Sequence, residues 1–147
     1  MKAIFIALFL LVAVASAANN NRYKYNDDIC QLDRNNFDQC QKDFDYFVVK
    51  FWSPSCPYSK KYAPEYIKAR SVLRGGAYDI TFAEVNCKLE SALAKKYGVR
   101  SYPSTRFFNK RQNKWINYDG KRQSTPLVSW IKKLVDSDRQ YRKSNKH

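Results

Sequence analysis

The sequence is short of histidine and has no pair of cysteines in C-x-x-C spacing. Its only histidine, His147, is the last of 147 residues, and its four cysteines lie far apart along the chain. Zinc sites are built from closely spaced cysteine and histidine ligands. We therefore expect no metal site, and nothing in the sequence predicts another cofactor.

Long apolar runs are scarce too, and only one stands out, over residues 3–14. It is too short to cross a bilayer, which takes roughly 20 apolar residues, so no membrane span is predicted. Lys2 precedes the run and small residues follow it, which is typical of a secretory signal peptide over residues 1–18. The chain is expected in the secretory pathway. Because residues 144–147 are not a Lys-Asp-Glu-Leu type retrieval signal, it is either held in the endoplasmic reticulum lumen or secreted.

The rest of the chain suits one domain. Residues 19–28 are polar and rich in asparagine, and they predict a flexible leader. Residues 29–137 carry strand and helix patterns throughout. Residues 138–147 lack an apolar pattern and predict a disordered basic tail.

The charge is strongly basic, at a formal +14. Lysine and arginine are spread along the chain, with a mild concentration in residues 139–146, which favours an ordinary solvated surface. A secreted chain seldom meets nucleic acid, so nucleic-acid binding is not expected. Weak binding of a polyanion through the basic surface is the remaining alternative.

Strand and helix patterns alternate within residues 29–137. Residues 46–52 are nearly continuous in aromatic and β-branched side chains, as expected of a central strand covered on both faces. Cys56-Pro57 then opens a helix, because proline suits the first helical turn. The order of the patterns predicts an α/β fold, with a mixed central β-sheet flanked by helices on both faces. The other predicted elements are strands at 29–33, 80–85, 104–108 and 114–118, and helices after Asp33, at 89–97 and after Thr125.

Cys56 lies where the predicted central strand gives way to a helix. Unpaired N–H groups and the dipole at a helix N-terminus favour a negative charge, so a thiol there ionises more easily, and the thiolate is the nucleophile. Open α/β sheets also place their sites at this carboxyl edge. The alternative is an inert buried cysteine, which Pro54 and Pro57 disfavour because they put the thiol on a turn.

Two segments resemble protein disulfide isomerase domains. Residues 47–66, FVVKFWSPSCPYSKKYAPEY, are similar to the active-site segment of that family, and residues 97–104, YGVRSYPS, to the loop that carries its cis-proline. The resemblance implies a thioredoxin fold in which Pro103 is cis and faces Cys56. It also implies that cysteine-containing client proteins or unfolded peptides bind beside the thiol. The residues expected to line this groove are Trp52, Pro57, Tyr58, Tyr102 and Pro103.

The C-x-x-C motif of the family is here Cys56-Pro57-Tyr58-Ser59, so serine replaces the second cysteine. A hydroxyl forms no disulfide and is a poor nucleophile at neutral pH, which argues against dithiol oxidase or reductase activity. Monothiol exchange remains, in which Cys56 attacks a client disulfide and a client thiol releases it. The result is isomerisation or prolonged covalent retention of the client. Ser59 either donates a hydrogen bond to the Cys56 thiolate or is simply exposed.

Two charged residues are candidates for tuning the thiol. Lys50 stands where the resemblance implies a buried acid that moves protons for the second cysteine. It is either exposed at a rearranged edge or a semi-buried amine that favours the Cys56 thiolate, and we hypothesise the latter. Arg100 matches the arginine that adjusts thiol ionisation in the family, or it is only a surface charge.

The other three cysteines need separate interpretations. Cys30 and Cys40 fall on the inward faces of neighbouring elements, where they either form a structural disulfide or remain two buried free thiols. Cys87 ends a predicted strand and is expected to be a buried free thiol or to pair with another chain. Four cysteines allow three complete pairings, and the spacing alone does not choose among them.

Two classes of function fit these features. The leading hypothesis is an enzyme that resembles protein disulfide isomerase and performs monothiol exchange on client proteins through Cys56. The alternative is a non-catalytic thioredoxin-fold module that binds a partner protein noncovalently, because a fold does not dictate its use.

Overall fold

The chain folds around a mixed six-stranded sheet with helices on both faces. The computed structural model describes residues 22–78 and 80–146, so the predicted signal peptide lies outside the described residues. The elements are β1 (Lys24–Asn26), β2 (Ile29–Leu32), α1 (Phe37–Asp43), β3 (Tyr46–Trp52), α2 (Pro57–Leu73), β4 (Thr81–Asn86), α3 (Ser91–Lys96), β5 (Ser104–Asn109), β6 (Lys114–Tyr118) and α4 (Ser124–Ser144). The spatial order of the strands is β1-β2-β4-β3-β5-β6.

Strand β3 is central in this sheet. It pairs with β4 in parallel on one side and with β5 in antiparallel on the other. All of its residues except Trp52 are buried, as its run of aromatic and β-branched side chains predicts. β2 extends the parallel part beyond β4, while β1 and β6 are the antiparallel edges.

Side chains alternate along the strands and form two apolar cores. Phe47, Val49 and Phe51 of β3 pack with α1 and α3 on one face. Tyr46 and Val48 pack with α2 and α4 on the other face. The predicted α/β fold with helices on both faces is therefore confirmed. No helix in the described part of the chain is long and apolar enough to cross a membrane.

A row of polar side chains crosses the sheet under α2. Lys50 of β3 lies opposite Glu84 of β4 in the strand register, and its Nζ is 3.0 Å from Glu84 Oε2. Gln31 of β2 donates to the other oxygen of this carboxylate at 3.0 Å. Lys50 Nζ also lies 4.7 Å from the centre of the Tyr66 ring. Because Lys50 is only 3% exposed, its ammonium depends on Glu84 for charge compensation.

Both ends of the folded domain extend beyond the predicted bounds. The prediction of a flexible leader is wrong for residues 22–28, because Tyr23 is buried and β1 pairs with β2. The prediction of a disordered tail from residue 138 is also wrong, because α4 continues to Ser144. Short polar strands and polar helix ends carry no apolar pattern that a sequence could show. Their order becomes visible only from their contacts with the rest of the fold.

Asp138 is the residue that ties the last turns of α4 to the sheet. Its carboxylate is 3% exposed and accepts hydrogen bonds from the Tyr46 hydroxyl, from Asn109 Nδ2 at 2.9 Å and from Gln112 Nε2 at 2.8 Å. Arg142, one turn later, lies 3.4 Å from the same carboxylate. Burial by itself would raise the pKa of Asp138, but these contacts outweigh burial and lower the pKa.

We expect Lys50→Met to reduce the free energy of unfolding by about 3 kcal/mol, because Glu84 is left with no cation beside its carboxylate. Replacing both charges, in Lys50→Met with Glu84→Gln, should restore most of the loss. Chemical denaturation measures both effects. The matched control is Lys96→Met, whose partner Asp38 lies 3.7 Å away with both side chains well exposed, and we expect a change under about 0.5 kcal/mol. A double variant no more stable than Lys50→Met would contradict this account.

Asp138→Asn should weaken the fold and flatten its acid dependence. The pKa of Asp138 is lower in the folded chain than its ordinary value, so the ionised carboxylate stabilises the fold above the unfolded-state pKa of about 3.9. That stabilisation is lost as the pH falls through the folded-state pKa. We expect a loss of about 2 kcal/mol at pH 7 and a shallower decline in stability below about pH 4 than in the wild type.

Denaturation measured across pH, with exposed Asp136→Asn of the same helix as the control, checks the Asp138 prediction. The control should decline with acid as the wild type does. If Asp138→Asn and the wild type have the same acid dependence, the carboxylate does not contribute as described.

Candidate active site

Cys56 flanks the N-terminus of α2. β3 ends at Trp52, the chain turns, and Pro57 is the first helical residue. The Cys56 carbonyl already accepts a hydrogen bond from the Lys60 N–H at 3.2 Å, so helical bonding begins at this residue. The thiol therefore lies at the positive end of the helix and remains partly exposed.

The surroundings of Cys56 favour its thiolate. The pKa of the Cys56 thiol is lowered from its ordinary value, first because the backbone N–H of Ser59 donates to the sulfur. Burial acts in the opposite direction and is the second contribution. The Tyr58 N–H, the Ser59 hydroxyl and the charge of Arg122 lower the pKa further. Since the thiolate is the nucleophile, these contacts favour reaction at Cys56.

The loop before β5 faces the thiol. The Tyr102–Pro103 peptide bond is cis, which confirms that expectation from the family resemblance. Cys56 Sγ lies 3.5 Å from the Tyr102 carbonyl oxygen, to which the thiol donates. Pro103 itself is buried. The structure thus brings the two halves of the predicted site together from distant parts of the chain.

Ser59 is a buried residue of the site. It is 2% exposed, so the alternative of simple surface exposure is wrong. Its Oγ accepts a hydrogen bond from the Ser53 N–H at 3.2 Å, and its hydroxyl is one of the groups that lower the pKa of Cys56. Ser59 therefore holds the turn after β3 and supports the thiolate at once.

The predicted groove residues lie around the thiol with unequal exposure. Pro57 and Tyr58 are exposed, and Tyr58 is among the most exposed aromatic side chains described, at 65%. Trp52 and Tyr102 are partly buried. The Tyr102 hydroxyl lies beside the thiol of Cys87, the residue after β4. The aromatic side chains thus leave apolar surface next to Cys56.

Lys50 lies in the core beneath the site. Its burial excludes the alternative of an exposed residue at a rearranged edge. Sequence analysis missed its partner Glu84, although both strands were predicted, because only the register of β3 against β4 puts the two opposite each other. The ammonium is already compensated by that carboxylate, so the hypothesis that Lys50 favours the Cys56 thiolate stays a prediction.

Arg122 supplies the cationic charge that acts on Cys56. Arg100, the residue named from the resemblance, is exposed, and within the described part of the chain it makes no hydrogen bond with the Cys56 thiol. Arg122 lies between β6 and α4, with its guanidinium 5.7 Å from the centre of the Tyr58 ring. Sequence reasoning missed Arg122 because nothing in its local sequence marks it, and only the fold carries this loop to the site.

The other three cysteines are buried free thiols in the structure. The predicted Cys30–Cys40 disulfide is absent from the described residues, and both side chains are fully buried in the core next to α1. Burial raises the pKa of Cys30 to about 12, raises that of Cys40 and raises that of Cys87 to about 11. These thiols stay protonated near neutral pH, and a protonated thiol is a poor nucleophile for disulfide formation. Of the two alternatives for Cys30 and Cys40, the structure shows the pair of free thiols.

Similarity to known proteins identifies the family of this chain. The thioredoxin family model matches residues 28–133. Protein disulfide-isomerase of Drosophila melanogaster is 33% identical over 133 residues, which cover 90% of this chain and 26% of that protein. Protein disulfide-isomerase of Gallus gallus is 34% identical over 129 residues, which cover 87% of this chain and 25% of that protein. The chain therefore spans about a quarter of the length of these curated relatives.

Solved structures give the same result. The first thioredoxin domain of mouse protein disulfide-isomerase A4 is 28% identical, with a TM-score of 0.69 over 76% of this chain and 79% of that chain. The J-Trx1 fragment of ERdj5 is also 28% identical, with a TM-score of 0.68 over 74% of this chain and 52% of that chain. The implied thioredoxin fold is confirmed, and the chain belongs to the thioredoxin family, with a domain like those of protein disulfide isomerases.

Proposed function

We propose that this chain performs thiol–disulfide exchange on cysteine-containing client proteins in the secretory pathway, with Cys56 as its one reactive thiol. The setting of Cys56 is the observation that carries the proposal. A partly exposed thiol with a lowered pKa stands at a helix N-terminus, and a buried serine occupies the position of a second thiol. The likeness to protein disulfide isomerases and the signal-peptide pattern support action in the endoplasmic reticulum lumen or after secretion.

The exchange takes place in two balanced steps. The Cys56 thiolate attacks one sulfur of a client disulfide, a bond forms between the two sulfurs, and the second client sulfur leaves as a thiolate. A client thiolate then attacks the mixed disulfide at the client sulfur, and Cys56 leaves as a thiolate. The number of disulfides is unchanged, so the net reaction is isomerisation. Ser59 cannot perform the second step, and a client without a suitably placed thiol stays covalently held.

Binding of the client segment is assigned to the surface around the thiol. The exposed Pro57 and Tyr58 follow Cys56 in α2, and the carbonyl of Tyr102, next to the cis Pro103, contacts its sulfur. An extended peptide laid between them would present its sulfur to Cys56. Trp52, at the end of β3, adds partly buried aromatic surface.

A second candidate function is noncovalent binding of a partner protein, with Cys56 unused. The serine at position 59 favours this noncovalent role. An enzyme that evolved into a binding module would be expected to lose its second thiol. The exposed Tyr58 could serve either role. Whether covalent conjugates form through Cys56 separates the two functions.

Trapping in cells should show conjugates that depend on Cys56. Cells expressing the tagged full chain are treated with a fast thiol-blocking reagent, and the isolated protein is compared on non-reducing gels. We expect reducible conjugates with the wild type and none with Cys56→Ala. Cys87→Ala is the matched control, because it removes a buried thiol with a raised pKa, and it should keep the conjugates.

Ser59→Cys provides an internal check on the trapping experiment. The introduced thiol can attack the mixed disulfide and release the client, so the conjugates should become fewer while a disulfide forms within the site. Identical lanes for the wild type and Cys56→Ala would rule out client capture and favour the noncovalent module.

The pH dependence of the Cys56 alkylation rate should show which neighbouring groups lower the pKa of its thiol. Because the pKa of Cys56 is lowered, its alkylation should persist to lower pH than that of an ordinary cysteine. Ser59→Ala removes a hydroxyl donor and should move the profile to higher pH. Lys50→Ala should do the same if its amine favours the thiolate. Alkylation rates followed by peptide mass, across pH, measure each profile.

Ser55→Ala is the control for this series, because Ser55 is an exposed residue of the same turn, and it should leave the profile in place. An unmoved profile in Ser59→Ala would refute the role of that hydroxyl. An unmoved profile in Lys50→Ala would end the tuning hypothesis for Lys50.

A further inference from the structure

A cleft of about 530 Å³ adjoins the active site on the side of α2 and the loop between β6 and α4. Tyr58 is one of its lining residues, whereas Tyr102 of the cis-proline loop is not. Its volume is in the range of sites that hold a small molecule or a few side chains. The lining residues are Tyr58, Lys61, Tyr62, Pro64 and Glu65 from α2, and Lys121, Arg122 and Gln123 from the loop.

The charges on this cleft are unbalanced. Lys61, Lys121 and Arg122 are exposed, and none of them takes part in an ion pair within the described part of the chain. Glu65 is the one acidic residue of the lining. Its carboxylate is already engaged, because it accepts the Ser124 N–H at 2.8 Å at the start of α4. The lining therefore carries three cations against one carboxylate, which leaves an excess of positive charge for a ligand from outside.

Two residues of the cleft lining, Tyr58 and Arg122, act on the Cys56 thiol. Tyr58 lies on the first turn of α2, and its N–H is one of the groups that act on the Cys56 sulfur. Arg122 also acts on that sulfur, and it covers the Tyr58 ring at 5.7 Å. A client segment that is joined to Cys56 through a disulfide and extends toward Tyr58 and Arg122 would reach the cationic side chains of the cleft.

We propose that this cleft selects client segments that carry carboxylate side chains close to the reacting cysteine. The inference rests on the proposed function and names the client chemistry for the same site. Carboxylates complement the three cations, and Arg122 can hold one through two parallel hydrogen bonds. Tyr58, Tyr62 and Pro64 supply an apolar floor for the neighbouring methylene groups or an aromatic side chain. Electrostatic attraction of this kind raises the rate of encounter and favours one partner over another.

The test uses pairs of peptides whose single cysteine is activated as a 2-thiopyridyl disulfide. The Cys56 thiolate attacks the peptide sulfur, the mixed disulfide with the peptide forms, and pyridine-2-thione leaves and is followed by absorbance. One peptide of each pair has glutamates flanking the cysteine, on its N-terminal or its C-terminal side, and the other has glutamines. The measured quantity is the ratio of the two rates, which cancels any change in the reactivity of Cys56 itself.

We expect the wild-type chain to react with a glutamate peptide about fivefold faster than with its glutamine counterpart at low salt. The ratio should fall to about 1 in the variant with Lys61→Gln, Lys121→Gln and Arg122→Gln together. The matched control carries Lys95→Gln, Lys114→Gln and Lys143→Gln, three exposed positions outside the cleft. It removes the same net charge and should keep most of the ratio.

Three outcomes would overturn the proposal. If the ratio falls equally in both triple variants, the preference for glutamate peptides comes from the net charge of the protein and not from the cleft. A wild-type ratio of 1 with normal reaction of the glutamine peptides would remove the selectivity and leave exchange at Cys56 intact. The peptide pairs could react at equal rates while glutathione disulfide reacts faster than its ethyl ester. That result would assign the cleft to a small thiol compound instead of a client segment. If Cys56 reacts with none of the peptides, the proposed function fails as well.

Discussion

The pairing of β3 between β4 and β5 is the interaction on which the rest of this structure depends. Burial on both faces makes β3 rigid, and its carboxyl end delivers the chain to the N-terminus of α2. The same pairing puts Lys50 opposite Glu84 beneath the site. The antiparallel partner β5 begins next to the cis-proline loop and so brings Tyr102 to the thiol. Cys56 is thereby positioned by two neighbouring strands, β3 through α2 and β5 through the cis-proline loop.

Electrostatics then separates one thiol from the other three. Backbone and hydroxyl donors of α2 lower the pKa of Cys56, with help from Arg122. Burial raises the pKa of Cys30 to about 12 and that of Cys87 to about 11. Of the four free thiols, Cys56 is therefore the one whose surroundings favour the thiolate, which is the reactive form. Ser59 bonds the turn after β3 and contributes a hydroxyl donor beside Cys56.

Part of the site could be predicted because its information is local. The run of residues 46–52 and the Cys56-Pro57 step each indicate their own backbone, which marked Cys56 as the candidate reactive cysteine. The cis bond at Pro103 was implied by the family resemblance of residues 97–104. Glu84 and Arg122 were missed, because each acts across strands or loops that are distant in the chain. The leader was predicted to be flexible and the tail to be disordered, because polar segments give no periodic signal. In the structure, β1 pairs with β2, and Asp138 anchors α4 through polar contacts.

By itself the sequence determined the α/β fold and singled out Cys56 as the candidate nucleophile of a thioredoxin-type site. It also determined that no second thiol stands in the motif, because these depend on residue type and short spacing. Only the tertiary structure decided the ion pair beneath the site, the burial of Ser59, the thiol state of Cys30 and Cys40, and the cationic cleft beside Cys56. Each of these depends on distances between residues far apart in sequence, and such distances exist only once strand register and helix packing are set.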